Sequence, residues 1–179
     1  MFEEPDFKKF HDYWIELRGE GPLPRKSDFD PARVSSFIAD LMIIQWMPPD
    51  MLHVRLLGTG ITQRTNRERT GQNLLDSIFP PQRQMIADYV TAIFAPVAVG
   101  SVSTRRCYGS GATVGVEHAY FPFQSDDGVS DIIIGVHKAD VAASRLVPPG
   151  DEMQHAEIRR LEFLDVGNGI PDFSFQAKD

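Results

Sequence analysis

The sequence predicts an α+β fold in which a five-stranded antiparallel sheet carries helices on one face, with an N-terminal helical extension. Segments with helical and with strand spacing are segregated along the chain, in the order helix, helix, two strands, helical connection, three strands. Short turns rich in glycine, proline and aspartate separate strands within each group, as in hairpins. The 179 residues suit one domain, whose core needs neither a disulfide nor a metal.

The N-terminal elements are two helices and a hairpin. Between Asp6 and Arg18 the apolar residues recur every three or four positions, which predicts one face of an amphipathic helix. This stripe comprises Phe7, Phe10, Trp14 and Leu17. Asp30-Pro31 indicates an N-cap and a first-turn proline of a second short helix, a better explanation of Asp30 than pairing with Asp28 as catalytic carboxylates. A hairpin is predicted from Leu41–Met47 and Met51–Leu57.

The next elements are a helical connection, a helix and three strands. The connection runs from Gly58 through Gly71, and a longer helix follows Pro80-Pro81 to about Ala95. Three strand candidates then span Val97–Cys107, Thr113–Gln124 and Val129–His137. Gly109-Ser110-Gly111 and Asp126-Asp127-Gly128 join them as hairpin turns.

The last residues form a separate segment. Val147–Gly150 has the composition of a linker, and Ile158–Leu164 is a short apolar cluster. It is interpreted as a sixth strand or short helix on its own domain, or as a segment that docks on a partner. The division expected is an N-terminal helix and loop at 1–30, a sheet domain at 31–140 and a C-terminal extension at 141–179.

Composition limits the classes of function. The formal charge of −7 argues against a nucleic-acid or anionic membrane surface as partner. The single cysteine, Cys107, and an acidic N-terminus broken by Pro5 lead us to expect a cytoplasmic protein without a signal peptide. The histidines lack the spacing of a metal site, so no metal is expected.

Several short motifs together resemble one family. The Arg-x-x-Gly-Thr element of Arg55–Thr59 and the glycine of Thr70-Gly71 resemble elements of a PAS subfamily of short stand-alone alphaproteobacterial proteins, once labelled a domain of unknown function. The remaining matches are Tyr13-Trp14, Leu17-Arg18, Pro24, Asp28, Asp30-Pro31, Glu117–Pro122 and Asp127-Gly128. The resemblance covers about residues 10 to 137. Lys26 stands where arginine is expected and Asn66 where glycine is expected.

The resemblance implies a sensory module with a cavity under the sheet. PAS domains insert helices between their second and third strands, and their helical extensions often form dimers. A homodimer through the first helix is therefore expected, although the same apolar stripe can instead pack on its own sheet. The resemblance leaves the cofactor unknown: the connection 61–71 lacks the histidine of haem-binding PAS proteins, and Cys107 lies outside the position of the flavin-reactive cysteine.

The ligand-binding residues nominated from the sequence are Arg55, Thr59, His118 and Tyr120, and no catalytic residue is assigned. We expect them at the rim of an apolar cavity between the sheet and the segment 61–79. Strand alternation leaves two points open. Arg55 either holds an anionic ligand group or makes a structural contact, for example with Glu117, and His118 and Tyr120 either face the cavity or lie on the sheet surface.

Two functions of different class follow. The first is a non-catalytic sensory or signalling module that binds a small molecule, or a protein partner that acts in trans. The second is a small cone-shaped α+β enzyme resembling ketosteroid isomerases, which needs an acid or base in its apolar pocket. The presence of any of Asp40, Glu117, His118 and Tyr120 in that pocket would favour the enzyme.

Overall fold

The computed structural model describes residues 4–173, which form a six-stranded antiparallel sheet with helical elements on both faces. The strands lie in the order β2-β1-β5-β4-β3-β6. They are β1 (Leu41–Met47), β2 (Met51–Leu57), β3 (Ala98–Tyr108), β4 (Thr113–Gln124), β5 (Ser130–Ala139) and β6 (Met153–Asp165). The α-helices are α1 (Pro5–Arg18), α2 (Thr59–Thr65), α3 (Arg83–Ile93) and α4 (Val141–Ser144).

The predicted hairpin and the short helix that precedes it are confirmed. The segment Pro31–Asp40 is a 3-10 helix, and Asp30 caps it, because its Oδ1 accepts a hydrogen bond of 2.9 Å from the Ala32 amide. Strands β1 and β2 have the predicted bounds. The capping role assigned to Asp30 is therefore correct.

The sheet has one strand more than the five predicted. Residues of the C-terminal segment form β6, which pairs with β3 from Ala98↔Asp165 to Tyr108↔Met153. The apolar cluster thus forms the sixth strand of the domain's own sheet, which was one of the two alternatives.

Helix α1 covers the sheet face opposite α2 and α3. Its stripe is buried: Phe7 is 2% exposed, and Phe10 and Trp14 are fully covered by Phe121, Phe123 and neighbouring apolar side chains. The Trp14 indole donates to the Pro122 carbonyl at 2.8 Å. The stripe that motivated a dimer is therefore part of the chain's own core, because without it this face of the sheet would be exposed to water.

The other face carries α2, α3 and the 3-10 turns Leu74–Ser77 and Pro80–Gln82. Ile86, Tyr89, Val90 and Ile93 of α3 pack there, as their helical spacing predicts. Along the described residues, no helix is both long enough and apolar enough to cross a bilayer.

Candidate functional site

A cavity lies between this second face of the sheet and the segment that connects β2 to α3. The space open to the centre of a water molecule is about 60 Å³. Most of its wall is apolar, and its apolar members are Met42, Leu52, Leu57, Ile61, Leu74, Ile78, Ile86, Val102, Met153, Ala156 and Ile158. A cavity was predicted in this place, between the sheet and residues 61–79.

Strand alternation directs a group of polar side chains into the cavity. Thr104 and Arg106 come from β3, His118 and Tyr120 from β4, and His137 from β5. The odd-numbered neighbours on β3 point to the opposite face, where Arg105 pairs with Glu157 at 2.6 Å. Inward and outward residues therefore alternate strictly along this part of the strand.

His118 and Tyr120 line the cavity, which is one of the two orientations that the sequence leaves open. His118 is 7% exposed, and its Nε2 lies 3.0 Å from the Thr104 hydroxyl. Its Nδ1 is buried without a hydrogen-bond partner. Burial, and to a smaller extent Arg106, lowers the pKa of His118 to about 3, so the ring is neutral at pH 7.

Arg55 and Thr59 do not lie with them. The pairing of β2 with β1 passes from Ile43↔Leu56 to Ile44↔Val54, so Arg55 is the extra residue of a β-bulge. Its guanidinium is exposed on the opposite face and donates to Gln45 Oε1 at 2.7 Å. The bulge turns Leu56 to that face as well and sends Leu57 into the cavity.

Thr59 is the exposed first residue of α2 and does not line the cavity. Gly58, just before it, is needed because a Cβ there would collide with the Ala39 carbonyl. The glycine of the motif is thus explained by the close approach of its backbone to the segment Pro31–Asp40.

Two arginines in the cavity were missed from the sequence. Arg106 is 4% exposed, and its Nη2 lies 3.2 Å from both ring nitrogens of His137. Its Nη1 is buried without a partner. Arg69, 7% exposed, follows α2, and its Nε is also buried without a partner. Alternation from Val102 through Thr104 was the signal that places Arg106 inside.

These charges have unusual surroundings. Burial is the main cause that lowers the pKa of Arg106 to about 10, and the neighbouring Arg64 contributes in the same direction. Burial also lowers the pKa of Arg69. Burial lowers the pKa of His137 well below its ordinary value, with contributions from His118 and Arg106. Both arginines remain charged at pH 7 and both histidines are neutral.

A family comparison agrees with this architecture. A family model described as a PAS domain matches residues 2–138. The chain belongs to the PAS family. No curated protein matches the chain.

The match to the PAS family begins before α1, so this helix lies within the matched region. Strand β6 lies beyond its end. The family match therefore includes α1, whereas β6, the edge strand next to β3, is additional to the matched region.

Two of the four residues named for the enzyme alternative lie in the cavity of this PAS domain, and the two carboxylates do not. Asp40 pairs with Arg64 and Lys138 away from the cavity, and Glu117 pairs with Arg160 at 3.4 Å on the outer face. Of the four residues considered, only His118 and Tyr120 line the cavity, and no carboxylate among the described residues does. Burial raises the pKa of Tyr120, so the phenol is neutral at pH 7.

One further cluster has the chemistry of metal ligands. Candidate ligand atoms of Cys107, His155 and Glu157 lie within 4.8 Å of one another on β3 and β6. However, the Glu157 carboxylate already pairs with Arg105 and Arg159. These two cations neutralise the carboxylate and oppose a metal ion there.

Proposed function

We propose that this PAS domain is a non-catalytic sensory module that binds a small molecule in the cavity under its sheet. The observation that carries the proposal is the combination of an apolar wall with buried polar atoms that have no hydrogen-bond partner among the described residues 4–173. These atoms are His118 Nδ1, Arg106 Nη1 and Arg69 Nε. Buried polar groups are normally hydrogen-bonded, so such a set favours a ligand that supplies the missing partners.

The cavity wall is connected to α1 by ion pairs, which gives ligand binding a route to the outer surface. Helix α2 lines the cavity through Ile61 and Thr65, and its Arg64 pairs with Asp40 at 2.5 Å. Lys138 then pairs with Asp40 at 3.1 Å and with Asp6 of α1 at 2.5 Å. A ligand that shifts α2 would therefore change the ion pairs that hold α1, and a protein partner acting in trans would detect that change.

Native mass spectrometry of the purified full chain tests whether the cavity binds a ligand. We expect an added mass that disappears when the protein is denatured. Ala156→Met should reduce the bound fraction because it fills part of the cavity, whereas Ala32→Met, at an exposed position, should not. A ligand-free wild-type mass, or equal occupancy in both variants, would contradict the proposal.

Hydrogen exchange tests the route to α1. Ligand addition should change the exchange rate of α1 amides, and Lys138→Met should abolish that response while leaving ligand binding intact. An unchanged α1 in the wild-type protein would show that the signal leaves the domain elsewhere.

A further inference from the structure

We infer that the ligand of this cavity is a small monocarboxylate, with its anionic group on Arg106 and its apolar body against the aliphatic wall. The inference rests on the proposed function, since it names the chemistry of the molecule that the cavity binds. It depends on the charges in the cavity, on their missing counter-ions and on the size of the space.

The first step is the unbalanced charge. Arg69 and Arg106 both line the cavity, and neither has a carboxylate within ion-pair distance among the described residues. Among the described residues the Arg69 guanidinium makes no hydrogen bond, and the contacts of Arg106 are to two neutral groups, the His137 imidazole and the Tyr108 hydroxyl. A buried charge without a counter-ion is unfavourable, so the cavity favours a negatively charged occupant.

Other arginines of the same domain show that carboxylate partners are common elsewhere. Arg33 pairs with Glu16 at 2.8 Å, Arg64 with Asp40, and Arg105 with Glu157. Arg105 is next to Arg106 in sequence and differs mainly in the face to which it points. The lack of a carboxylate partner is therefore a property of the cavity face.

The geometry of the free donors favours a carboxylate. A guanidinium presents parallel N–H groups that match the two oxygens of a carboxylate, and Nη1 of Arg106 has no other acceptor. His118 Nδ1 is a further polar contact for the ligand, since its Nε2 is engaged by Thr104. The Arg106 guanidinium lies beside the neutral His137 imidazole, whose ring centroid is 4.4 Å from that of His118, and one cation among neutral rings suits one anionic group better than a highly charged molecule such as a nucleotide.

The apolar wall and the volume define the rest of the ligand. About 60 Å³ of space accommodates about four to six water-sized groups, taking roughly 10–15 Å³ for each. Leu52, Ile61, Ile78 and Ile158 surround this space and offer no hydrogen bonds from their side chains. A short aliphatic carboxylate, such as propanoate or butanoate, satisfies the wall, the volume and the arginines.

Calorimetric titration of the full chain, refolded to remove any copurified ligand, tests the inference with matched probes. Propanoate and butanoate, which have five and six non-hydrogen atoms, should each bind at least tenfold more tightly than the primary amide of the same carbon skeleton. The amides keep the size and shape of the acids but remove the negative charge. This comparison needs no variant, so it is independent of folding defects.

Variants then assign the charge preference to Arg106. Arg106→Met should lose the tenfold preference for the acid, whereas Arg105→Met, on the outer face, should retain it. Equal affinity for acids and amides in the wild-type chain would overturn the inference and leave the proposed function standing. Binding of neither series, together with a ligand-free native mass, would overturn both. A preference retained in folded Arg106→Met protein would overturn the role of Arg106.

Discussion

Replacing Arg106 by methionine is expected to stabilise the protein in the absence of ligand. The substitution removes a buried positive charge that no described carboxylate neutralises and keeps much of the apolar volume of the side chain. Most substitutions in a protein core destabilise it, so a gain in stability is a distinctive outcome.

The magnitude follows from the pKa of Arg106. A pKa of about 10, with roughly 1.4 kcal/mol for each pKa unit below that of free arginine, gives about 3 kcal/mol of unfavourable free energy on the charged form. The unfolded chain binds its proton more tightly, so stability rises with pH only above about 10, and at pH 7 the whole unfavourable contribution is present. Loss of packing and of the contact to His137 offsets about 1–2 kcal/mol, leaving a net gain of about 1–2 kcal/mol.

Urea denaturation of refolded, ligand-free protein at pH 7 measures this gain as a higher midpoint with an unchanged slope. Arg105→Met is the matched control, and loss of its partly exposed ion pair should change the stability by less than about 1 kcal/mol. A destabilisation of Arg106→Met by more than about 1 kcal/mol would refute the reasoning, because the guanidinium would then be compensated within the fold.

Three further outcomes are expected. Burial lowers the pKa of His118 from 6.5 to about 3, so the unfolding free energy should fall as pH drops below 6.5. The variant His118→Gln should flatten that fall by up to about 1.4 kcal/mol per pH unit between pH 6 and 4. Parallel stability curves for the wild type and the variant would contradict this. Asp30→Ala should lower the free energy of unfolding, measured by urea denaturation, by about 1 kcal/mol and leave carboxylate binding unchanged. Loss of binding without destabilisation would instead indicate a functional carboxylate. Gly58→Ala should destabilise by more than about 2 kcal/mol, since its Cβ would collide with the Ala39 carbonyl; a thermal melt like that of the wild type would show that the turn can move.

The predicted elements agree well with the structure where local signals are strong. The hairpin Leu41–Met47 and Met51–Leu57, the Asp30 cap and the α3 stripe depend on alternation, capping and helical periodicity, all of which act over a few residues. The sequence leaves two alternatives for strand β6 because its paired residues on β3 lie 45 to 67 positions earlier, from Tyr108↔Met153 to Ala98↔Asp165, and single-sequence patterns carry no information on such pairings.

The candidate site was less predictable. His118 and Tyr120 were found because they share the face of a regularly alternating strand. Arg55 was misplaced because it was nominated against the alternation of β2, and the bulge at this residue leaves it outside. Arg106 lies on the same face of β3 as Val102 and Thr104, as strand alternation predicts. The sequence alone does not show that this face is the one covered by α2 and α3, so Arg106 was not nominated.

The apolar stripe on α1 is a further feature that the sequence predicts only in part. A helical apolar face predicts burial but does not identify what covers it, because the hydrophobic effect has no direction. Here the apolar residues of β4 and β5 on the sheet face under α1 provide the partner surface, with the Phe10 and Phe121 ring centroids 4.7 Å apart. The alternating apolar residues on both faces of β4 were the signal that this sheet is covered on both sides.

Methyl NMR of the full chain titrated with butanoate tests most directly whether this PAS domain binds small molecules under its sheet. The account predicts saturable shifts for the isoleucine methyls of the cavity, with the isoleucines packed under α1 unchanged. The first group comprises Ile61, Ile78, Ile86 and Ile158, and the second comprises Ile132 and Ile134. Shifts confined to the α1 face, or no saturable shift in either group, would contradict it.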